Sequence, residues 1–259
     1  MARNIALKAA GHPWVMVLPP AGTGIDSRWL RQITSRLNDG KEVVVGYSTI
    51  KPEKGFYNLL YRCEAFFQQM KSYGFILNGL PFLFFEENVA FRKEKYFEVK
   101  GFQQKISEPY AHLELLINLF IRKATTRIVF SGEAVLREDV HAQRQLFTEL
   151  LKKEVRIRKH LSFFKRLVLS IDRMVTLLFI PSAVLVFLFI PALWPVYAVL
   201  LSVFVLAFSL IIKISLNRLN EPKIFLPSLL VALVMPYYKW IFQGGFSYFS
   251  RKQRWWNKR

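Results

Sequence analysis

The chain has 259 residues, 53% of them hydrophobic and 24 of them Phe, which excludes a disordered chain. Lys and Arg number 37 against 18 Asp and Glu, so the net charge of +19 points to nucleic acid or an anionic membrane surface, and the apolar content favours the membrane. One cysteine, Cys63, excludes an internal disulfide framework and a cysteine-based zinc site, and suits a chain facing the reducing cytoplasm.

In chain order, HPWVMVLPP (12–20) is a short apolar run ending in two prolines, as a buried strand does at a loop. SRWLRQITSRLNDG (27–40) has apolar positions at helical spacing and a glycine stop, and KEVVVGYS (41–48) reads as another strand. GFYNLLYRCEAFFQQMKSYGFIL (55–77) reads as a helix, 82–102 as a loop with flanking elements, and HLELLINLFIRK (112–123) as a helix. TTRIVFSG (125–132) is strand-like, and 137–161 reads as one long basic helix. This alternation predicts an α/β domain over 1–165 with a mainly parallel sheet. No internal repeat or low-complexity segment is visible.

Residues 166–259 read as a helical membrane module. From Met174 to Ile212 no residue is charged, about twice the ~20 residues needed to cross a bilayer, so a two-helix hairpin over about 174–190 and 194–214 is expected. Pro191 and Pro195 mark its turn, and Trp194 suits an interface. Lys159, Lys165, Arg166 and Arg173 precede the hairpin and Lys213, Arg218 and Lys223 follow it, so the positive-inside rule places both flanks in the cytoplasm. A third apolar segment, about 224–242, contains Pro227 and Pro236 and leads to the tail RKQRWWNKR, with five basic residues and no acid. A crossing there would export that tail, so the segment is read as re-entrant or interfacial. MARNIALKAAGHP lacks an apolar core long enough for a secretory signal, so insertion is expected to be directed by the later segments.

Four segments carry a resemblance: WVMVLPPAGTGIDSRWL (14–30), VVVGYSTIKPEKGFYNLLYRCEAF (43–66), LPFLFFEENVAFRKEKYFEVKGF (80–102) and LNRLNEPKIFLPSLL (216–230). Together with the element order, the basic helix and the hairpin, they resemble a bacterial subgroup of the membrane-bound family 2 glycosyltransferases that build envelope polysaccharides and glycolipids. The resemblance implies a partial nucleotide-diphospho-sugar transferase domain followed by a membrane module. It also implies that the first strands of the usual nucleotide-binding half are absent, so that a second polypeptide, or the membrane and rearranged loops, would cover the exposed sheet edge.

Carried over residue by residue, the family's functional groups are missing. Its Asp-x-Asp metal motif falls on Pro19, Pro20 and Ala21, none of which can ligate Mg or Mn. Asp occurs only at 26, 38, 139 and 172, so no Asp-x-Asp exists anywhere in the chain. The acidic motif that supplies the general base falls on Tyr110 to Leu115, leaving His112 at the base position and Glu114 as the remaining acid. The Gln-Lys-Arg-Arg-His-Leu-Ser segment matches Arg156, Ile157, Arg158, Lys159, His160, Leu161 and Ser162. In the acceptor loop, Phe84 and Glu86 replace glycines, Glu87 replaces arginine, and Asn88 is kept.

Each candidate has a plainer reading. His112 and Glu114 are two apart and do not face each other on a helix, so His112 also reads as an ordinary helix histidine. Glu86 and Glu87 read as a cation site or as acids paired with neighbours such as Arg92 and Lys93. Gly22, Thr23 and Gly24 lack the Gly-Lys-Ser/Thr ending of a P-loop. Arg156, Arg158, Lys159 and His160 read as contacts to a diphosphate or lipid phosphate, or, with Lys152, Lys153, Lys165 and Arg166, as membrane adhesion. No nucleic-acid recognition motif accompanies the basic residues.

The expectation is a catalytically inactive, glycosyltransferase-like protein of the bacterial cytoplasmic membrane, multi-pass, with its soluble domain in the cytoplasm. It would act as scaffold or partner subunit in envelope polysaccharide or glycolipid assembly, beside anionic lipid and a protein partner, with no cofactor. The alternative is an active inverting glycosyltransferase whose nucleotide-binding half comes from another chain, with Mg or Mn as cofactor and His112 or Glu114 as base.

Overall fold

A computed structural model describes residues 2–19, 22–23, 25–37, 40–102, 113–190, 192 and 194–256. The chain divides into two compact units, Met1–Leu161 with Arg218–Glu221, and Ser162–Asn217 with Pro222–Arg259.

The first unit is mixed helix and sheet. Its elements are α1 (Ala2–Ala9), β1 (Trp14–Val17), β2 (Gly22–Thr23), α2 (Ser27–Thr34), β3 (Val43–Gly46), β4 (Ser48–Ile50), α3 (Phe56–Leu77), β5 (Val89–Arg92), α4 (Lys93–Glu98), α5 (Leu113–Phe120), β6 (Thr126–Val129), β7 (Leu136–Glu138) and α6 (Arg144–His160). One sheet has the order β1-β5-β3-β6 and a smaller one the order β2-β7-β4. β3 is apolar without alternation, and all four of its residues are buried, as a strand covered on both faces requires. Val43 and Val45, with Val89 and Phe91, pack on Tyr73 and Ile76 of α3 and Leu116 and Phe120 of α5. Val44 and Ala90 face the other way, toward Trp29 and Ile33 of α2. Asp26 caps α2 by accepting the Trp29 N–H at 2.7 Å.

The sheet corrects the expected parallel arrangement. β1 and β3 both pair antiparallel with β5, and among the described residues only β3 with β6 and β4 with β7 run parallel. The cause lies at Asn88. Its N–H donates to Val17 O at 2.9 Å and its carbonyl accepts from Gly46 N at 2.8 Å, so β5 begins where β1 and β3 end and must run back along them. Asn88 has a left-handed backbone (φ 60), and its amide nitrogen donates to Tyr47 O at 2.7 Å and Ala134 O at 2.8 Å. A Cβ at Gly46 would collide with that side chain.

The basic helix is shorter than the sequence suggests. Residues 136–138 are strand β7, paired parallel to β4 and antiparallel to β2, so α6 starts at Arg144 after the extended Gln143. Backbone pairing takes the residues that the charge pattern assigns to a helix.

The second unit contains α7 (Phe163–Phe189), α8 (Trp194–Arg218) and α9 (Phe225–Trp256), each long and apolar enough by length and composition to cross a bilayer. α7 and α8 extend beyond the expected 174–190 and 194–214, because a helix need not stop where its apolar stretch does. Leu178, Phe189, Leu200, Leu206, Leu226 and Ile241 are all exposed, an amount of apolar surface that suits lipid and not water. The third apolar segment, 224–242, lies almost wholly within α9.

Candidate functional site

A cleft of about 360 Å³ opens in the first unit. α3 lines it with Tyr61, Ala65, Gln68 and Gln69, and α6 with Leu146, Glu149, Leu150, Lys153 and Arg156. Both sets recur at three- and four-residue steps, so each is one stripe along a helix. Phe85 and Glu87 come from the loop before β5, Thr49 from β4, Glu138 from β7, and Pro19 from the segment just after β1.

Lys153 is the charged centre of the site. Its Nζ lies 3.4 Å from Glu87 Oε1 and 3.8 Å from Glu114 Oε1. Burial opposes its charge, but Glu87, Glu114 and Glu86 outweigh burial and raise its pKa, so the ammonium persists. Glu114 stands in the first turn of α5, 1% exposed. Burial raises its carboxyl well above the ordinary value, Lys153 works against that shift, and Glu86 adds to it. Glu86 is itself buried, and its Oε2 accepts the Leu113 N–H at 2.6 Å, holding the start of α5.

The remaining charges are also engaged. Glu149 accepts from Lys152 at 2.7 Å and from Arg156 at 3.3 Å. Burial, then Glu87, raises the Glu138 carboxyl against the pull of Lys153. Gln68 on the α3 wall donates to Glu64 at 2.8 Å and to Glu154 at 3.2 Å. The lining therefore carries three carboxylates, Glu87, Glu138 and Glu149, against two cations, Lys153 and Arg156. In a chain of net charge +19 this is a local reversal of sign.

The sequence-derived candidates separate. Glu114 lies in the charged cluster, while His112 lies outside the described residues. Pro19 is buried and lines the cleft, whereas Pro20, Ala21 and Gly24 lie outside the described residues. A pyrrolidine ring offers no donor to Mg or Mn, and among the described residues no three His, Cys, Asp or Glu are grouped to hold a metal ion. Arg156 faces the cleft, but at about 100° per residue Arg158 points to nearly the opposite side of α6. Lys159 and His160, three and four residues after Arg156, occupy the last turn of the same helix, so Arg158 is the basic candidate that faces away from the other three. Glu87 pairs with Lys153; the expected neighbours Arg92 and Lys93 instead donate to Lys41 O at 3.3 Å and to Ala10 O at 2.5 Å. Gly22 and Thr23 form β2 and pair with β7.

In the sequence Lys153 stands within a basic run, and nothing local marks Gln68 or Glu138. The available signal was periodicity, since Leu146, Glu149, Leu150 and Lys153 share a helix face that carries a carboxylate and an ammonium among leucines. No protein-family model matches the chain, and no curated protein matches it.

Proposed function

We propose that this is a glycosyltransferase-like integral membrane protein that performs no sugar transfer and serves as scaffold or partner subunit in envelope polysaccharide or glycolipid assembly. In this reading it resides in the bacterial cytoplasmic membrane as a multi-pass protein, with its first unit in the cytoplasm. Its surroundings are anionic lipid, toward which each basic residue near the headgroups contributes about 1 kcal/mol, and a protein partner. Neither nucleic acid nor a cofactor has a place in it.

One observation carries the reading: the cation at the centre of the cleft is already committed. A sugar nucleotide brings a diphosphate whose charge must be neutralised. Turning Lys153 toward it would strip the partly buried Glu87 of its counter-charge, and a carboxylate left unpaired beside an incoming diphosphate is unfavourable. Arg156 is bound to Glu149, and Pro19 stands where the resemblance places a metal ligand. The deciding experiment is calorimetric titration of the purified full chain with sugar nucleotides, with and without Mg or Mn. No saturable binding is expected; metal-dependent micromolar binding would overturn the proposal in favour of an active transferase.

A further inference from the structure

The cleft of the first unit has the size of a small-molecule site, about 360 Å³ against the ~300–1,000 Å³ usual for such sites. Phe84, Phe85, Leu146 and Leu150 give it an apolar wall. Its two cations are engaged, Lys153 with Glu87 and Glu114, and Arg156 with Glu149. Three other lining side chains carry oxygens that receive no donor from the described residues: those of Gln68, Glu138 and Tyr61.

Gln68 is 5% exposed. Its amide nitrogen serves two carboxylates, Glu64 and Glu154, which can only accept, so the amide is fixed with its nitrogen toward them. Its Oε1 is left as a buried acceptor on the cleft wall, and an acceptor without a donor is costly. The Glu138 carboxylate forms neither a hydrogen bond nor an ion pair with a described residue. Burial, then Glu87, raises its carboxyl in spite of Lys153, so as an anion it lacks counter-charge. The Tyr61 hydroxyl lies within the field of Glu138 and Glu87, and burial above all keeps it protonated. Tyr61 and Gln68 stand seven residues apart, two turns along one face of α3, so the open oxygens occupy two levels of the cleft.

We propose that the cleft binds a small primary amine, its ammonium seated on Glu138 beside the Tyr61 hydroxyl and a second donor of the same molecule given to Gln68 Oε1. Open oxygens reward N–H and O–H groups, which a quaternary ammonium does not have at its charged end. The rings of Tyr61, Phe84 and Phe85 suit an apolar body and favour a cation near their faces. Glu87, Glu138 and Glu149 repel a phosphate, so the rest of the molecule is uncharged, which separates it from a zwitterionic lipid headgroup. Amine binding and sugar-nucleotide binding are separate measurements, and either can fail alone.

Tyramine is the probe, because it carries an ammonium and a hydroxyl at opposite ends of an apolar ring. Calorimetric titration of the purified full chain is expected to show saturable binding at one site. Tyrosol, which has a hydroxyl where tyramine has its ammonium, should bind at least about tenfold more weakly, since a charge-assisted bond to Glu138 is lost. Phenethylamine, which lacks the ring hydroxyl, should lose about fivefold with the bond to Gln68. Glu138→Gln should weaken tyramine at least about tenfold and leave tyrosol unchanged. The proposal is overturned if tyramine does not bind saturably, if tyrosol or phenethylamine binds as tightly as tyramine, or if folded Glu138→Gln binds tyramine like the wild type. The comparison of the three ligands uses the wild-type chain alone, so it decides the matter even where the variant does not fold.

Discussion

Glu221 and Arg62 form an ion pair in which both side chains are buried, 1% and 6% exposed. Arg137 closes the arrangement from the other side, its Nη2 3.0 Å and its Nε 3.2 Å from Glu221 Oε1. The carboxylate comes from the short Arg218–Glu221 segment, which belongs to the first unit although the chain on either side of it does not. Asn220, beside it, has a left-handed backbone (φ 57) and packs so tightly on Gly132 that a Cβ there would collide. A buried pair with one partner removed leaves an uncompensated charge, so Glu221→Gln is expected to cost about 3–5 kcal/mol in reversible denaturation of the detergent-solubilised protein. Combining Arg62→Met, Arg137→Met and Glu221→Met should recover most of that loss, because it removes the carboxylate together with both of its cations. A loss below about 1 kcal/mol for Glu221→Gln would mean that the pair behaves like an exposed one.

Glu114 makes stability depend on pH in a defined direction. Its folded carboxyl titrates well above the ordinary 4.5, chiefly through burial, so in the window between those values the native chain holds a proton that the unfolded chain has released. Stability therefore falls as pH rises through that window. Glu138 acts in the same sense, since burial raises it too. Replacing Glu114 by Gln removes its contribution. Unfolding midpoints of the wild-type chain should drop relative to those of Glu114→Gln as pH rises above the ordinary carboxylate range, and parallel profiles would refute the assignment.

The left-handed Asn88 is where the antiparallel strand begins. Its side chain bridges Tyr47 O and Ala134 O, and its backbone joins the ends of β1 and β3. Asn88→Ala loses both side-chain bonds and strains the backbone, an expected cost of about 2–3 kcal/mol. Asn88→Gly loses the same bonds without the strain, so it should be the milder of the two in urea denaturation. Equal losses would show that the backbone conformation contributes nothing.

That asparagine also shows what could be read in advance. The strands at 14–17, 43–46 and 126–129 and the helices at 27–34, 56–77 and 113–120 follow from period and turn residues, which are local. Strand direction is not local: it depends on where Asn88 docks between the ends of β1 and β3 after a long helix. Lys153 shows the same limit within the cleft. In a run of lysines and arginines it resembles its neighbours, and only the approach of Glu87 from the loop and Glu114 from α5 turns it inward. Pro19, singled out in the sequence through the resemblance alone, lines the cleft, but the carboxylates that share this lining come from distant segments.

The charge reversal in the cleft gives a last test. If Lys153 is withheld from anions because Glu87 and Glu138 surround it, removing those carboxylates should release it. Glu87→Gln takes away a direct partner of the ammonium, and Glu138→Gln takes away a second negative charge on the lining. Pyrophosphate, which carries the anionic chemistry of a nucleotide diphosphate without the sugar or base, is the suitable probe. The wild-type chain should show no saturable binding by calorimetry. The double variant should bind it saturably, at least about tenfold tighter than the weakest binding calorimetry detects, the equivalent of about 1.4 kcal/mol. Adding Lys153→Met to the double variant should abolish that gain, because the only cation released by the two substitutions is then gone. If the triple variant binds as well as the double, the anion is held elsewhere, and Lys153 is not the group that the carboxylates restrain.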